Sequence, residues 1–193
     1  MAGAHGGGTP GEASAWVRRF APLVPAGGRV LDLAAGGGRH ARLFLERGHP
    51  VVAADRDVTG LADLAARPGC EVVETDLEDG GPWRLGGAFA GIVVTNYLHR
   101  PLLPELIAAL RPGGVLIYET FMLGNERFGN PSNAAFLLQP NELIDAFAPA
   151  LRIVAFEQGE VASPRPACIQ RIACVDEGTA PVRLPAAPAI APS

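Results

Sequence analysis

The stretch that decides the fold is Val30-Leu31-Asp32-Leu33-Ala34-Ala35-Gly36-Gly37-Gly38-Arg39-His40. Arg29–Leu33 reads as a buried strand, the glycines as a tight turn, and Arg39–Arg47, closed by Gly48, as a helix. Glycines belong there because the backbone must turn sharply and let a ligand approach with no Cβ in the way. A strand, a Gly-rich turn and a helix together form the opening unit of an α/β nucleotide-binding sheet.

The same alternation continues outward from this unit. Val51–Ala54 reads as a strand followed by a helix over Val58–Arg67, Glu71–Thr75 as a strand, Ile92–Thr95 as a strand followed by a helix over Leu102–Leu110, and Val115–Glu119 as a fifth strand. Short apolar runs alternating with helical patterns predict βαβ units around a parallel, doubly wound sheet covered on both faces. Upstream, Thr9-Pro10-Gly11-Glu12 reads as an N-cap, a first-turn proline and a capping-box glutamate. They would open a helix whose apolar face is Ala13, Trp16, Val17 and Phe20.

Downstream, Phe121–Leu138 has no periodicity, and a loop of that length inside a compact domain is usually functional. A helix opens at Pro140-Asn141-Glu142 and runs to about Phe147. Leu151–Phe156 and Ala167–Val175 then form an antiparallel hairpin that closes the sheet. One domain is expected over residues 9–175, between a disordered Gly-rich N-terminus (1–8) and a disordered Ala/Pro-rich tail (176–193).

The net charge of −4, with 16 Lys+Arg and no basic cluster, disfavours a nucleic-acid partner. No apolar run approaches the length of a membrane span and no leader pattern opens the chain, so a cytoplasmic protein with no membrane partner is expected. Cys70, Cys168 and Cys174 lie in apolar strand-like runs without CxxC spacing, which suggests buried free thiols and neither disulfide nor metal. His5 and His49 have no motif around them.

Two ligand classes can use the Gly turn. Gly36-x-Gly38-x-x-Ala41 suits a dinucleotide pyrophosphate at a helix N-terminus. Asp32 argues against it, since a carboxylate beside the turn repels a pyrophosphate and pairs with the amino group of a methionine-bearing cofactor. Asp55 ends the second strand and can accept from both ribose hydroxyls, while Asp76-Leu77 ends the third and can meet an adenine edge. Singly each acid is most simply a helix cap or a solvated loop residue; their joint order favours a cofactor site.

Asp32-x-Ala34-x-Gly36-x-Gly38, Asp55, Asp76-Leu77 and Leu110-Arg111-Pro112-Gly113-Gly114-Val115-Leu116 together resemble the successive motifs of class I S-adenosylmethionine-dependent methyltransferases, from about Trp16 to Val175. Ala34 stands where many members have glycine, and Ala followed by Gly-x-Gly-Arg-His is similar to the tellurite-resistance branch. The resemblance implies a Rossmann-like, mostly parallel seven-stranded sheet with an antiparallel last strand. It also implies S-adenosylmethionine as cofactor, with Asp32 near its amino group, Asp55 on the ribose and Asp76 near adenine. Asn96, after the fourth strand, joins the cofactor set with Ala34, Gly36, Gly38 and Leu77.

On the acceptor side, Thr95-Asn96-Tyr97-Leu98-His99-Arg100 lacks the Asn/Asp-Pro-Pro-Tyr and Pro-Cys signatures of enzymes that methylate nucleic acids, which leaves a small-molecule acceptor. His99 as general base, Arg100 as anion clamp and Glu119 at the end of the fifth strand are the catalytic candidates. A helix start, with Arg100 paired to Glu105, is an equal reading of the first two. Tyr97 and, in the long loop, Asn125, Glu126 and Arg127 are candidate substrate contacts, with Gly124 and Gly129 as hinges of a lid. The rival functions are a nicotinamide-dependent oxidoreductase and a non-catalytic S-adenosylmethionine-binding protein.

Overall fold

The computed structural model describes residues 11–176 and 183–186. Seven strands form one sheet: β1 (Val30–Leu33), β2 (Val51–Asp55), β3 (Cys70–Glu74), β4 (Phe89–Thr95), β5 (Leu110–Phe121), β6 (Leu151–Val161) and β7 (Ala167–Asp176), in the spatial order β3-β2-β1-β4-β5-β7-β6. The strand pairs from β3 through β5 are parallel, while β7 runs antiparallel to both β5 and β6. This is the expected architecture: the crossovers carry the helices, and only the last two strands can meet through a hairpin.

Two apolar layers cover the sheet, as its fully buried central strands require. Helices α1 (Ala15–Phe20), α2 (Arg39–Glu46) and α3 (Ala62–Ala65) put Trp16, Val17, Phe20, Phe44 and Leu64 against Val30, Val51, Val93 and Ile117. Helices α4 (Leu103–Ala109) and α5 (Glu142–Phe147) put Leu103, Leu106, Leu143 and Phe147 against Leu31, Ile92, Leu116 and Tyr118. Asp32, Val93 and Ala53 share the α1–α3 face, because register partners in a parallel pair point the same way.

Several local expectations are corrected. The first helix begins at Ala15 and its cap is Ser14, whose hydroxyl accepts from the Trp16 amide at 3.1 Å; Gly11 and Glu12 lie outside it, and Thr9 and Pro10 are outside the described residues. A serine one residue before the apolar stripe outcompetes a more distant threonine because only the Ncap side chain reaches the first free amides. The 58–67 helix is a 3₁₀ turn, Thr59–Leu61, followed by the single turn of α3.

Strand β5 starts early at Leu110, which pairs with Phe89, and resumes regular register at Val115 opposite Gly91. Between them Gly113 takes φ +74, and a Cβ on Gly114 would lie 2.8 Å from the Phe89 carbonyl oxygen. The Pro-Gly-Gly sequence is thus required by a close backbone approach. Strand β6 runs on to Val161, beyond the expected Phe156.

Cys168 and Cys174 are buried free thiols, whereas Cys70 is only partly buried on the edge strand β3. His49 donates from Nδ1 to the Gly28 carbonyl at 2.9 Å in the core. Asp176, expected to begin the tail, is the last residue of β7 opposite Leu151, and 183–186 have no regular secondary structure. The rest of the expected disordered tail, the N-terminus at 1–8 and His5 lie outside the described residues.

Candidate functional site

The Gly turn is held in shape by left-handed backbone at three positions, Ala34 (φ 53), Gly36 (φ 54) and Gly38 (φ 71). Ala34 carries a strained conformation that a glycine would adopt freely. A Cβ added to Gly38 would lie 2.5 Å from Leu64 Cδ1, whereas one on Gly36 or Gly37 would meet nothing within 4 Å, so the outer lip of the turn is open. Gly60, in the 3₁₀ turn after β2, backs this lip so closely that a Cβ would sit 3.2 Å from the Gly36 oxygen.

Asp32 lies beneath the turn. Its Oδ2 accepts from the Ala41 amide in the first turn of α2 at 2.8 Å, and only 1% of the residue is exposed. Burial pushes its pKa up to about 7, against the lowering pull of the Ala41 amide and Arg39. His40 beside it is equally buried, and burial together with Arg39 brings its pKa down to about 3, so the ring is neutral and its 3.8 Å approach to Asp32 Oδ1 is not an ion pair. Nε2 of His40 accepts from the Ser14 amide at 3.2 Å, which puts the ring proton on Nδ1, 3.5 Å from Thr95 Oγ1.

Asp55 joins β2 to the turn: Oδ2 accepts from the Gly36 amide at 2.7 Å and Oδ1 from the Asp57 amide at 3.0 Å. Each oxygen retains a lone pair for a ligand. An open groove lined by Arg56, Asp57, Glu74, Thr75 and Asp76 runs from there along the ends of β2 and β3. Asp76 is exposed and caps the Glu78 amide at 2.9 Å, while Leu77 packs inward on the α4–α5 layer. The residues suit a ligand rich in donors. They do not suit a pyrophosphate, because the Gly36 and Ala41 amides it would recruit already serve carboxylates.

The catalytic candidates are not brought together. His99 lines a cavity of about 250 Å³ with Asp76, Leu77, Trp83, Leu102 and Glu105, on the α4–α5 side of the sheet. Arg100 is fully engaged, donating to both oxygens of Glu142 (2.6 and 3.0 Å) and to the carbonyls of Ala135 (2.8 Å) and Leu137 (3.0 Å). Its partner is therefore Glu142 on α5, not Glu105. Glu119 lies on the opposite face, where Oε1 accepts from the Ser14 hydroxyl at 2.8 Å and Oε2 faces Arg171 at 3.4 Å. Asn96 is exposed in a left-handed conformation (φ 55), its amide bonded to the Glu119 carbonyl. The hydroxyl of Tyr97 is buried with no hydrogen-bond partner among the described residues, and burial, followed by the nearby Glu78 carboxylate, raises its pKa.

The 121–138 segment is fastened rather than hinged. Asn125 is buried, accepting from the Cys168 amide at 3.2 Å and donating to the Pro131 carbonyl at 3.0 Å. Glu126 accepts from the Gly124 amide at 2.8 Å, and Arg127 pairs with Glu160 on β6. A Cβ on Gly124 would lie 3.0 Å from Cys168 Sγ, so that glycine is there for close packing. Phe121, Leu137, Ala167 and Ile169 form a small core beneath the loop. Arg100→Ala should release the 135–137 end of this segment and cost about 1–2 kcal/mol, its partly exposed pair being screened. Thermal unfolding should show a fall of roughly 2–8 °C, and an unchanged melting temperature would deny Arg100 its anchoring role.

Ser14 is the site residue that the sequence leaves unmarked, whereas His40 stands in the Gly-turn motif and reads there as a residue that packs locally. The usable signal is the pairing of a serine at a helix start with a histidine in the first turn of α2, but no spacing rule links residues 26 apart.

No family model and no curated protein matches the chain. Solved structures do match its fold. A 1,6-didemethyltoxoflavin-N1-methyltransferase from Burkholderia thailandensis, with bound 1,6-didemethyltoxoflavin and S-adenosylhomocysteine, is 23% identical with a TM-score of 0.62, over 84% of this chain and 76% of that one. A putative S-adenosylmethionine-dependent methyltransferase from Listeria monocytogenes is 14% identical (TM-score 0.64; 84% and 98%). TehB from Haemophilus influenzae is 16% identical (TM-score 0.66; 83% and 61%). At these identities the likeness is one of fold, and the seven-stranded sheet with its antiparallel β7 agrees with it: this chain has the fold of the class I S-adenosylmethionine-dependent methyltransferases.

Proposed function

We propose that this chain binds S-adenosylmethionine across the C-terminal ends of β1 to β3 and transfers its methyl group to a small-molecule acceptor at the ends of β4 and β5. The observation that carries the reading is the Asp55 carboxylate, bonded to the Gly36 amide at the end of β2, next in the chain to the groove lined by Arg56, Asp57, Glu74, Thr75 and Asp76. That arrangement offers acceptors to a ribose diol and to an adenine amino group, with Leu77 beside the ring edge. Asp32 acts from beneath the turn, its charge favouring the cofactor's ammonium group. Ala34, Gly36 and Gly38 shape the backbone around the methionine moiety, and Asn96 closes the site from β4.

The cofactor, when bound, supplies an electrophilic methyl group. The residues of the chain then need only hold an acceptor in line with it in a dry setting, which can lower the barrier by about 7–11 kcal/mol. Glu119 is the carboxylate at the end of β5 placed to take or share an acceptor proton. His99 and Tyr97 contribute from the other face of the sheet, beyond its strand ends, while Arg100, Asn125, Glu126 and Arg127 fasten the 121–138 segment. A small acceptor agrees with the net charge of −4 and with the toxoflavin precursor named in one structural neighbour.

Calorimetry with S-adenosylhomocysteine and with NAD(H) tests the reading, with micromolar binding expected for the first alone. Binding of NAD(H) instead would make the chain an oxidoreductase. A turnover screen over thiols, amines, carboxylates and oxyanions then separates an enzyme from a protein that only binds the cofactor.

A further inference from the structure

Ser14 joins two separate pieces of the site while capping its own helix. Its amide donates to His40 Nε2 at 3.2 Å, its hydroxyl donates to Glu119 Oε1 at 2.8 Å, and that hydroxyl also accepts from the Trp16 amide at 3.1 Å. His40, 1% exposed, turns its other ring nitrogen to Thr95 and Asp32 at the ends of β4 and β1. A single imidazole therefore touches the Gly-turn helix, two strand ends and the start of α1. Gly11 and Glu12, just upstream, are exposed, and a Cβ on Gly11 would meet nothing within 4 Å.

A buried histidine needs a partner for each ring nitrogen, and His40 takes both from outside its own helix, at the start of α1 and at the end of β4. Among the described residues, the Nε2 partner is the first to be tied to the domain by its side chain and amide together. We infer that Ser14 and His40 are positioning residues: they latch the start of α1 onto the Gly-turn helix and the end of β5, so that the N-terminal segment, the Gly turn and Glu119 move as one unit. The inference rests on the reading of the Gly turn as a cofactor site. It gives Ser14 a defined place, since an acceptor that bonds to Glu119 must either share that carboxylate with the Ser14 hydroxyl or displace it.

The test compares His40→Gln, which restores an acceptor near the Nε2 position, with His40→Leu, which fills similar space without one. In the free chain, amide exchange at Ser14 and Trp16 should be about five- to tenfold faster in His40→Leu, the effect of one lost hydrogen bond, and within about twofold of wild type in His40→Gln. Saturating S-adenosylhomocysteine should slow exchange at both amides in wild type and in the Gln variant, but not in the Leu variant. Equal exchange in the two variants, or cofactor binding that leaves exchange at Ser14 unchanged in wild type, overturns the latch.

Should His40→Leu fail to fold, His40→Met makes the same test, since it fills similar space without a ring-nitrogen acceptor and leaves the Ser14 hydroxyl on the Trp16 amide, with exchange read at Ser14 and Trp16. If wild type does not bind S-adenosylhomocysteine while His40→Leu still frees Ser14, the cofactor reading fails and the latch stands.

Discussion

Asp32→Asn is expected to make the chain more stable at pH 8 while weakening its hold on S-adenosylmethionine. The free Asp32 carboxyl titrates at about 7 in the folded chain against 3.8 when unperturbed, chiefly because it is buried. In the unfolded chain it has lost its proton by about pH 5; in the folded chain it keeps the proton until about pH 7. Between these values the folded state binds more protons, so this group's stabilising contribution is fully present below its unfolded pKa and is lost as pH rises through 7. Asparagine has no such dependence, and its carbonyl oxygen can still accept from the Ala41 amide. The stability difference between variant and wild type should therefore grow in the variant's favour from pH 4 to 8, by an amount on the order of 4 kcal/mol.

His40 contributes in the opposite sense. Its pKa is lowered to about 3, so the stability it lends is present above about 6.5 and is lost as pH falls toward 3. It is common to both chains and cancels in the comparison. Denaturant unfolding of both proteins at pH 4, 6 and 8 measures the difference; a constant difference across that range would show that Asp32 is ionised throughout. The cost should appear in calorimetry as weaker S-adenosylhomocysteine binding, because a neutral amide does not attract the ammonium group. Stability given up for a buried acid beside a ligand turn is the pattern expected of a functional position.

Asp55→Ala should weaken S-adenosylhomocysteine binding by about 10²–10⁴-fold, the loss of two hydrogen bonds to a charged acceptor at about 1.5–3 kcal/mol each. The carboxylate does double duty, since it also holds the Gly36 amide at 2.7 Å, so part of the loss comes from a looser turn. Asp55→Asn separates the two effects: it keeps an acceptor for Gly36 and should recover part of the affinity. Both variants should melt near wild type, because Asp55 stands at the partly exposed end of β2 and fills no core space. Wild-type affinity in the alanine variant would remove Asp55 from the ribose site.

The strand–turn–helix at 30–40 and the alternation after it were legible because a buried parallel strand is a continuous apolar run and a Gly turn has no substitute. The order of acids at 32, 55 and 76 was legible for the same reason, as strand ends fix where such side chains emerge. Boundaries were less so. The Pro-Gly-Gly turn sits inside β5 because Gly114 must pass close to Phe89, a contact between strands that no local pattern announces.

What the sequence determined by itself was the layered architecture, the hairpin at its end and the location of the Gly turn, all set by local periodicity and backbone sterics. Tertiary structure alone decided the partners. Arg100 has donors enough to clamp an anion, yet they are spent on Glu142 and on the carbonyls of Ala135 and Leu137, 35 to 42 residues away. Asn125 has the chemistry of a substrate contact, yet it is buried against Cys168. Ser14 and Glu119 lie 105 residues apart in the chain and 2.8 Å apart in space. A hydrogen bond depends on position and direction to within a fraction of an ångström, and for residues far apart in the chain only the packed sheet and its two helical layers supply that precision.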